Sequence, residues 1–146
     1  MSDAKASPGV SLTRSQTEQM IAHCEAGRPN EACGLLAAKD GDIVKVFPMR
    51  NVSASPVRYE LDPTEQFAVY KALEENDWEL GGVFHSHTRT AAYPSPTDIR
   101  LASEDVPYLI VSLAEQPPAI RAFRIVKASW ADTTGTVEEI PVVVVG

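Results

Sequence analysis

Two of the three histidines in the chain, His85 and His87, stand one residue apart and are the most informative feature of the sequence. An apolar run from Leu80 to Phe84 precedes them and indicates a buried strand. Because side chains alternate along a strand, both imidazoles face one side and Ser86 faces the other. Asp98 lies eleven residues after His87. Two imidazoles and a carboxylate predict a catalytic zinc site with three protein ligands and an open fourth position.

Ser95, Pro96 and Asp98 also have a plain structural interpretation as the start of a short helix. Serine is a frequent N-cap, proline is frequent at the first helical position, and a carboxylate at the third position can complete a capping box. A carboxylate in a first turn can also face a metal, so the two interpretations of Asp98 are compatible. For Ser95 we expect competition, because one hydroxyl proton cannot fully serve both a cap and a substrate oxygen.

The composition is that of one globular domain of 146 residues, with 44% hydrophobic and 23% charged residues. A net charge of -7 argues against a nucleic-acid partner, and no apolar run is long enough to span a bilayer. Cys24 and Cys33 form no Cys-x-x-Cys pair, which favours a reduced, cytoplasmic protein. Residues 1–9 are small and polar, so we expect a flexible tail before a domain at 10–146.

The order of predicted elements indicates an α/β domain in which helices flank a mixed, curved β-sheet. The expected strands are Val10 to Leu12, a hairpin of Cys33 to Ala38 with Ile43 to Met49, and strands at Tyr108 to Leu113, Ile120 to Val126 and Val137 to Val145. Arg58 to Leu61 is expected to be a short extended piece. The expected helices are Ser15 to Ala26, a helix opened by Asp62 and running to Asn76, and Pro96 to about Ser103. Within the second helix, the residues predicted to be buried are Phe67, Val69, Tyr70 and Leu73.

The spacing His-x-His at 85–87, Ser95 and Asp98, with Glu31 well upstream, resembles the motif of the JAMM (MPN+) metallopeptidase family. Residues 30–36 match that family too, through the glutamate, the glycine after it and an apolar strand. The resemblance covers nearly the whole chain and implies a cytidine-deaminase-like α/β fold with one Zn²⁺. It is strongest towards compact bacterial members that release cysteine from the C-terminus of a ubiquitin-like sulfur carrier protein, a step of cysteine biosynthesis.

The resemblance assigns zinc binding to His85, His87 and Asp98 and catalysis to Glu31 and Ser95. Glu31 would take a proton from the attacking water and give it to the leaving nitrogen, while Ser95 would polarise the carbonyl or stabilise the tetrahedral intermediate. Glu31 lies 54 positions before His85, so only the fold can bring the two together. The plainer interpretation of Glu31 is a solvated residue at the entry to a strand.

Two classes of function stay open at this point. One is a peptidase or isopeptidase acting on the C-terminal tail of a ubiquitin-like protein, with cysteine, another amino acid or a lysine side chain as the leaving group. The other is a zinc-containing binding module without hydrolysis. Cys33 is either a nucleophile or a small core residue, Arg89 is either solvated or a ligand for a substrate carboxylate, and His23 is a surface or packed residue. The sequence also leaves a homodimer open.

Overall fold

The computed structural model describes residues 9–146, so all of the expected tail except Gly9 lies outside the described residues. The described elements are β1 (Val10–Thr13), α1 (Arg14–Gly27), β2 (Cys33–Lys39), β3 (Asp42–Met49), α2 (Pro63–Asn76), β4 (Glu79–His87), α3 (Pro96–Leu101), β5 (Tyr108–Ser112), β6 (Ala119–Val126), β7 (Thr136–Ile140) and β8 (Val142–Val145). None of these helices has the length and apolar character needed to cross a membrane.

Six strands form one mixed sheet in the order β3-β2-β4-β5-β6-β7. Neighbouring strands are antiparallel except β4 and β5, which are parallel. β4 is therefore an inner strand with a partner on each side, and its residues from Gly82 to His87 are all buried. An inner strand covered on both faces needs a nearly continuous apolar run, which is the pattern that led to the prediction of this strand.

Helices cover both faces of this sheet. Successive residues of β2 point to opposite faces: Leu36 packs with Met20 of α1, and Leu35 packs with Val69 of α2. Val83 of β4 lies on the α2 side, and the alternation along β4 places His85 and His87 on that side too. The predicted α/β architecture with a mixed sheet flanked by helices is confirmed.

α2 has the predicted boundaries because its N-terminus is capped by Asp62, whose Oδ1 accepts two backbone N–H groups at 2.9 and 3.3 Å. Val69 and Leu73 are buried as predicted, but Phe67 is 73% exposed and Tyr70 is 37% exposed. The prediction was wrong for these two aromatic residues. At about 100° per residue, Phe67 lies roughly 200° around the helix from Val69, so a helix that buries only a narrow strip leaves it in solvent.

The expected strand from Val137 to Val145 is two strands, and Pro141 separates them. β7 pairs with β6, whereas β8 leaves the sheet and pairs in parallel with β1. Proline lacks the N–H that would continue the β6 ladder, and its carbonyl instead accepts the N–H of Val10 at 2.8 Å. The expected extended piece from Arg58 to Leu61 contributes one isolated bridge, between Leu61 and Asn51.

Candidate active site

The end of β4 and the first turn of α3 bring three potential metal ligands together. The Nε2 atoms of His85 and His87 lie 3.2 Å apart, and Asp98 Oδ2 lies 3.2 Å from the first and 3.0 Å from the second. All three residues are buried. Donors on a tetrahedron with bonds of about 2.0–2.1 Å are about 3.3 Å apart, so this donor set fits one metal ion.

The two imidazole rings are held in place by different contacts. The Nδ1 atom of His87 lies 2.9 Å from the carbonyl oxygen of Ala91, which fixes the proton on Nδ1 and leaves the Nε2 lone pair for the centre. His85 Nδ1 is buried and has no hydrogen-bond partner among residues 9–146. The His85 ring instead stacks on Tyr59, with centroids 4.4 Å apart and planes at 23°. Sequence reasoning missed Tyr59, because no local pattern links two residues 26 positions apart.

Asp98 serves the helix and the centre with the same oxygen. Its Oδ2 accepts the backbone N–H of Ser95 at 2.9 Å, and Ser95 Oγ accepts the backbone N–H of Asp98 at 3.0 Å, which confirms the predicted capping box. Burial acts to raise the pKa of Asp98, but the neighbouring imidazoles of His85 and His87 and the backbone N–H of Ser95 hold it well below its ordinary value. The carboxylate therefore stays ionised, as metal binding requires.

The hydroxyl of Ser95 does not face the competition that the sequence suggested. In the capping box the Ser95 oxygen acts only as an acceptor. Its O–H proton is not used by the cap and can be donated to another group, because a hydroxyl carries one donor and two acceptor positions. Ser95 also lines the cleft that contains His87. The expected competition between the two roles was wrong, because the cap uses the oxygen of the hydroxyl as an acceptor and a substrate contact would use its proton as a donor.

Ser86, between the two histidines, sets the position of Glu31. It faces away from the candidate ligands, is fully buried, and makes two hydrogen bonds with the residue after Glu31. Ala32 N donates to Ser86 Oγ at 2.9 Å, and Ser86 N donates to Ala32 O at 3.0 Å. Asn51 adds a third contact by donating its side-chain N–H to the Glu31 carbonyl at 2.9 Å. These bonds bring Glu31 to the His-x-His segment across 54 positions of sequence.

The side chain of Glu31 is buried, which excludes its interpretation as a solvated residue. It is only 5% exposed, and its Oε1 has no hydrogen-bond partner among the described residues. Burial, reinforced by the negative charge of Asp98, raises the pKa of Glu31 to about 8. Buried carboxyl groups are normally hydrogen-bonded, so an unpartnered one at the edge of a cleft is suited to exchanging protons with a bound water or substrate.

Glu31, His87 and Ser95 open into one cleft of about 330 Å³. The remaining lining residues are Pro56, Val57, Thr88, Arg89 and Thr90. A neighbouring cleft of about 370 Å³ beside α2 is somewhat larger, but it includes none of the five predicted site residues. Chemistry decides between the two, because of these two clefts only the smaller one is lined by a candidate ligand, His87, and by Glu31.

The structure favours the core interpretation of Cys33. The residue is fully buried in β2, opposite His85 in the register with β4. Burial raises the pKa of its thiol to about 12, and its Sγ points to the carbonyl of Arg50 at 3.8 Å. A neutral, enclosed thiol is a poor nucleophile. His23 is a packed residue, since its Nε2 lies 3.0 Å from the carbonyl oxygens of both Cys33 and Met49.

Comparison with known proteins identifies the family of this chain. The family described as "Prokaryotic homologs of the JAB domain" matches residues 13–126. The chain belongs to this family. It is 42% identical over 130 residues to the CysO-cysteine peptidase of Mycobacterium tuberculosis, covering 86% of this chain and 84% of the relative. It is 38% identical over 100 residues to a probable TtuB-protein conjugate cleaving protease of Thermus thermophilus, covering 68% and 67%. A desampylase of Haloferax volcanii is 36% identical over 102 residues, covering 64% and 73%.

Two solved structures share the fold of this chain. The solution structure of a protein from Desulfitobacterium hafniense is 39% identical and covers 92% of each chain with a TM-score of 0.80. The crystal structure of a JAB1/MPN domain protein from Archaeoglobus fulgidus covers 95% of this chain and all of the other, with a TM-score of 0.59 and 13% identity. At that identity the second similarity shows the fold alone.

Proposed function

We propose that this JAB-domain protein is a zinc-dependent peptidase that cleaves the amide bond at the C-terminus of a ubiquitin-like sulfur carrier protein and releases cysteine. The observation that carries the proposal is the buried, unpartnered Glu31 carboxylate, which shares a cleft with His87 and Ser95. The 42% identity with a CysO-cysteine peptidase, over most of both chains, supports the carrier and the cysteine leaving group. Two free, buried cysteines are in keeping with action in the reducing cytoplasm.

In this proposal His85 Nε2, His87 Nε2 and Asp98 Oδ2 would hold the zinc. Zinc bound there would lower the pKa of water towards about 7 and polarise a carbonyl. The positive charge of bound zinc would favour the ionised form of Glu31, which would accept the proton of the attacking water and later deliver it to the leaving nitrogen. Ser95 donates its free O–H to the substrate carbonyl oxygen, where negative charge develops.

A purely structural metal site is less compatible with these residues. A structural zinc site is closed by four protein ligands, whereas the described residues bring together three. Burying Glu31 without a hydrogen bond costs free energy that a structural site has no reason to accept. Both features are expected of a site that binds water and substrate.

One incubation tests the proposed function. The zinc-loaded protein is mixed with a ubiquitin-like sulfur carrier that bears one cysteine in amide linkage to its C-terminal carboxylate, and the carrier mass is followed. We expect the mass to fall by one cysteine residue, with no loss in the presence of phenanthroline and recovery on adding zinc. A parallel sample contains a carrier linked to a lysine side chain of a second protein. Cleavage of that conjugate alone would favour isopeptidase action, the activity that the conjugate-cleaving and desampylase relatives support.

Ser95 variants separate helix capping from catalysis. Ser95→Ala removes both the cap acceptor and the O–H donor, whereas Ser95→Asp keeps a good cap acceptor but cannot donate. We expect Ala to lower the free energy of unfolding by about 1 kcal/mol and Asp to remain better folded. Turnover should fall by roughly 100-fold or more in both, as for other donors to a developing oxyanion. Zinc content, unfolding midpoint and turnover are the measurements. Near-normal turnover by Ser95→Asp would reduce Ser95 to a cap.

A further inference from the structure

We propose that Arg89 binds the free α-carboxylate of the leaving residue and so makes the site selective for a C-terminal amino acid over a lysine side chain. The inference rests on the proposed peptidase function and adds to it the group that the enzyme recognises on the leaving amino acid, its α-carboxylate. Arg89 is a specificity residue here, because it contacts substrate without taking part in proton transfer.

The position of Arg89 is fixed even though its side chain is exposed. It stands two residues after His87 and lines the same cleft as Glu31 and Ser95. The backbone that follows it is anchored at two points: Ser112 Oγ donates to the carbonyl of Thr90 at 2.6 Å, and the carbonyl of Ala91 accepts from His87 at 2.9 Å. The Arg89 side chain therefore extends from a stretch of backbone that is held at the edge of the site.

Arg89 makes no ion pair and no side-chain hydrogen bond with any residue from 9 to 146. Several other arginines in this acidic chain are paired with carboxylates; these are Arg28, Arg50, Arg121 and Arg124. Arg89 is also the one lysine or arginine among the described residues that line the cleft. A planar guanidinium with unused donors is suited to bidentate binding of a carboxylate.

The charge of Arg89 can distinguish two kinds of substrate. Among the residues that line the cleft, Glu31 has a carboxyl group that would repel a substrate carboxylate when ionised, and Arg89 has the cation that would bind it. In a C-terminal amino acid the carboxylate carbon is only two bonds from the scissile nitrogen. In a lysine isopeptide the nitrogen sits at the end of a long side chain, far from any backbone carboxyl group. A cation at the edge of the cleft favours the first substrate and has no matching group in the second.

The test compares two substrates that differ only in this carboxylate. One carrier ends in cysteine with a free carboxylate, and the other ends in cysteine with a carboxamide. For the wild-type protein we expect kcat/KM to be about 10- to 100-fold higher with the carboxylate, the usual value of a charge-assisted hydrogen-bonded pair. Arg89→Gln should bring the ratio of the two kcat/KM values close to 1, and Arg89→Lys should keep part of it. Arg58→Gln, an exposed arginine beside the other cleft, should keep the wild-type ratio.

The possible outcomes distinguish failure of the Arg89 inference from failure of the proposed peptidase function. A ratio that falls in Arg89→Gln but not in Arg58→Gln, with unchanged unfolding midpoints, supports carboxylate recognition by Arg89. Equal turnover of both substrates by the wild-type protein, or an unchanged ratio in Arg89→Gln, overturns the inference while the peptidase function stands. Turnover of neither substrate refutes the proposed function and the inference with it.

Discussion

Protein carrying His85→Ala is expected to purify without zinc and to lose more than about 100-fold in turnover. Loss of an outer-shell partner alone lowers metal affinity or activity by about 10- to 100-fold, and His85 would supply one of only three ligand atoms. Asp98→Ala should have the same effect. Asp98→Asn is the sharper variant, because its side-chain oxygen can still accept the N–H of Ser95 and preserve the α3 cap while the negative charge is lost. Metal analysis and carrier cleavage measure both effects.

His23→Ala is the matched control, since it removes the third histidine of the chain. His23 fastens α1 to β2 and β3 through the carbonyls of Cys33 and Met49, so its loss leaves two acceptors without their donor and should lower stability by about 1–3 kcal/mol. Zinc content and turnover of the folded protein should be retained. Full zinc occupancy in His85→Ala protein would contradict the assignment of the site.

Glu31→Gln should retain zinc and still lose at least about 100-fold in turnover. The substitution keeps the size of the side chain and removes no proposed ligand, but an amide cannot accept the proton of the attacking water. Because it also removes a buried, unpartnered carboxylate, we expect the unfolding midpoint of the variant to equal or exceed that of the wild-type protein. A slow enzyme that is at least as stable and fully loaded with zinc cannot be explained by unfolding.

Cys33→Ala serves as the control for this variant, because it tests the competing nucleophile directly. Most activity should remain, since the thiol is buried and its pKa is raised to about 12. If alkylation of Cys33 in folded protein stops the reaction while Glu31→Gln leaves it intact, a cysteine-peptidase mechanism must replace the one proposed here.

Local signals in the sequence predicted the parts of the fold that depend on local physics. The Asp62 cap fixed the start of α2, and the turn at Asp40 and Gly41, both with positive φ, closes the predicted hairpin. The alternation around Ser86 also predicted which side chains share a face of β4. These features depend on neighbouring residues, so the sequence carries them directly.

The remaining features depend on contacts that are distant in sequence. The departure of β8 at Pro141 follows from a parallel partner at the other end of the described chain, and the exposure of Phe67 depends on how little of α2 the sheet covers. The stacking of Tyr59 on His85 has no local signal either. The ligand motif suggested the three candidate metal residues, but the burial that favours Glu31 as a proton carrier became visible only in the folded chain.

The paired hydrogen bonds between Ser86 and Ala32 have a consequence for how this domain tolerates change in length. They join the proton carrier to the ligand strand directly, and the pairing of β2 with β4 continues this contact, so the turn at Asp40 and Gly41 takes no part in setting that distance. Added residues at the Asp40–Gly41 turn should therefore lengthen the outer hairpin without displacing Glu31 from the histidines. The loop at 51–60 is different, because Asn51 and Ser55 hold the Glu31 backbone and Tyr59 covers His85. We therefore expect insertions to be tolerated at the turn between β2 and β3 but not in the loop at 51–60.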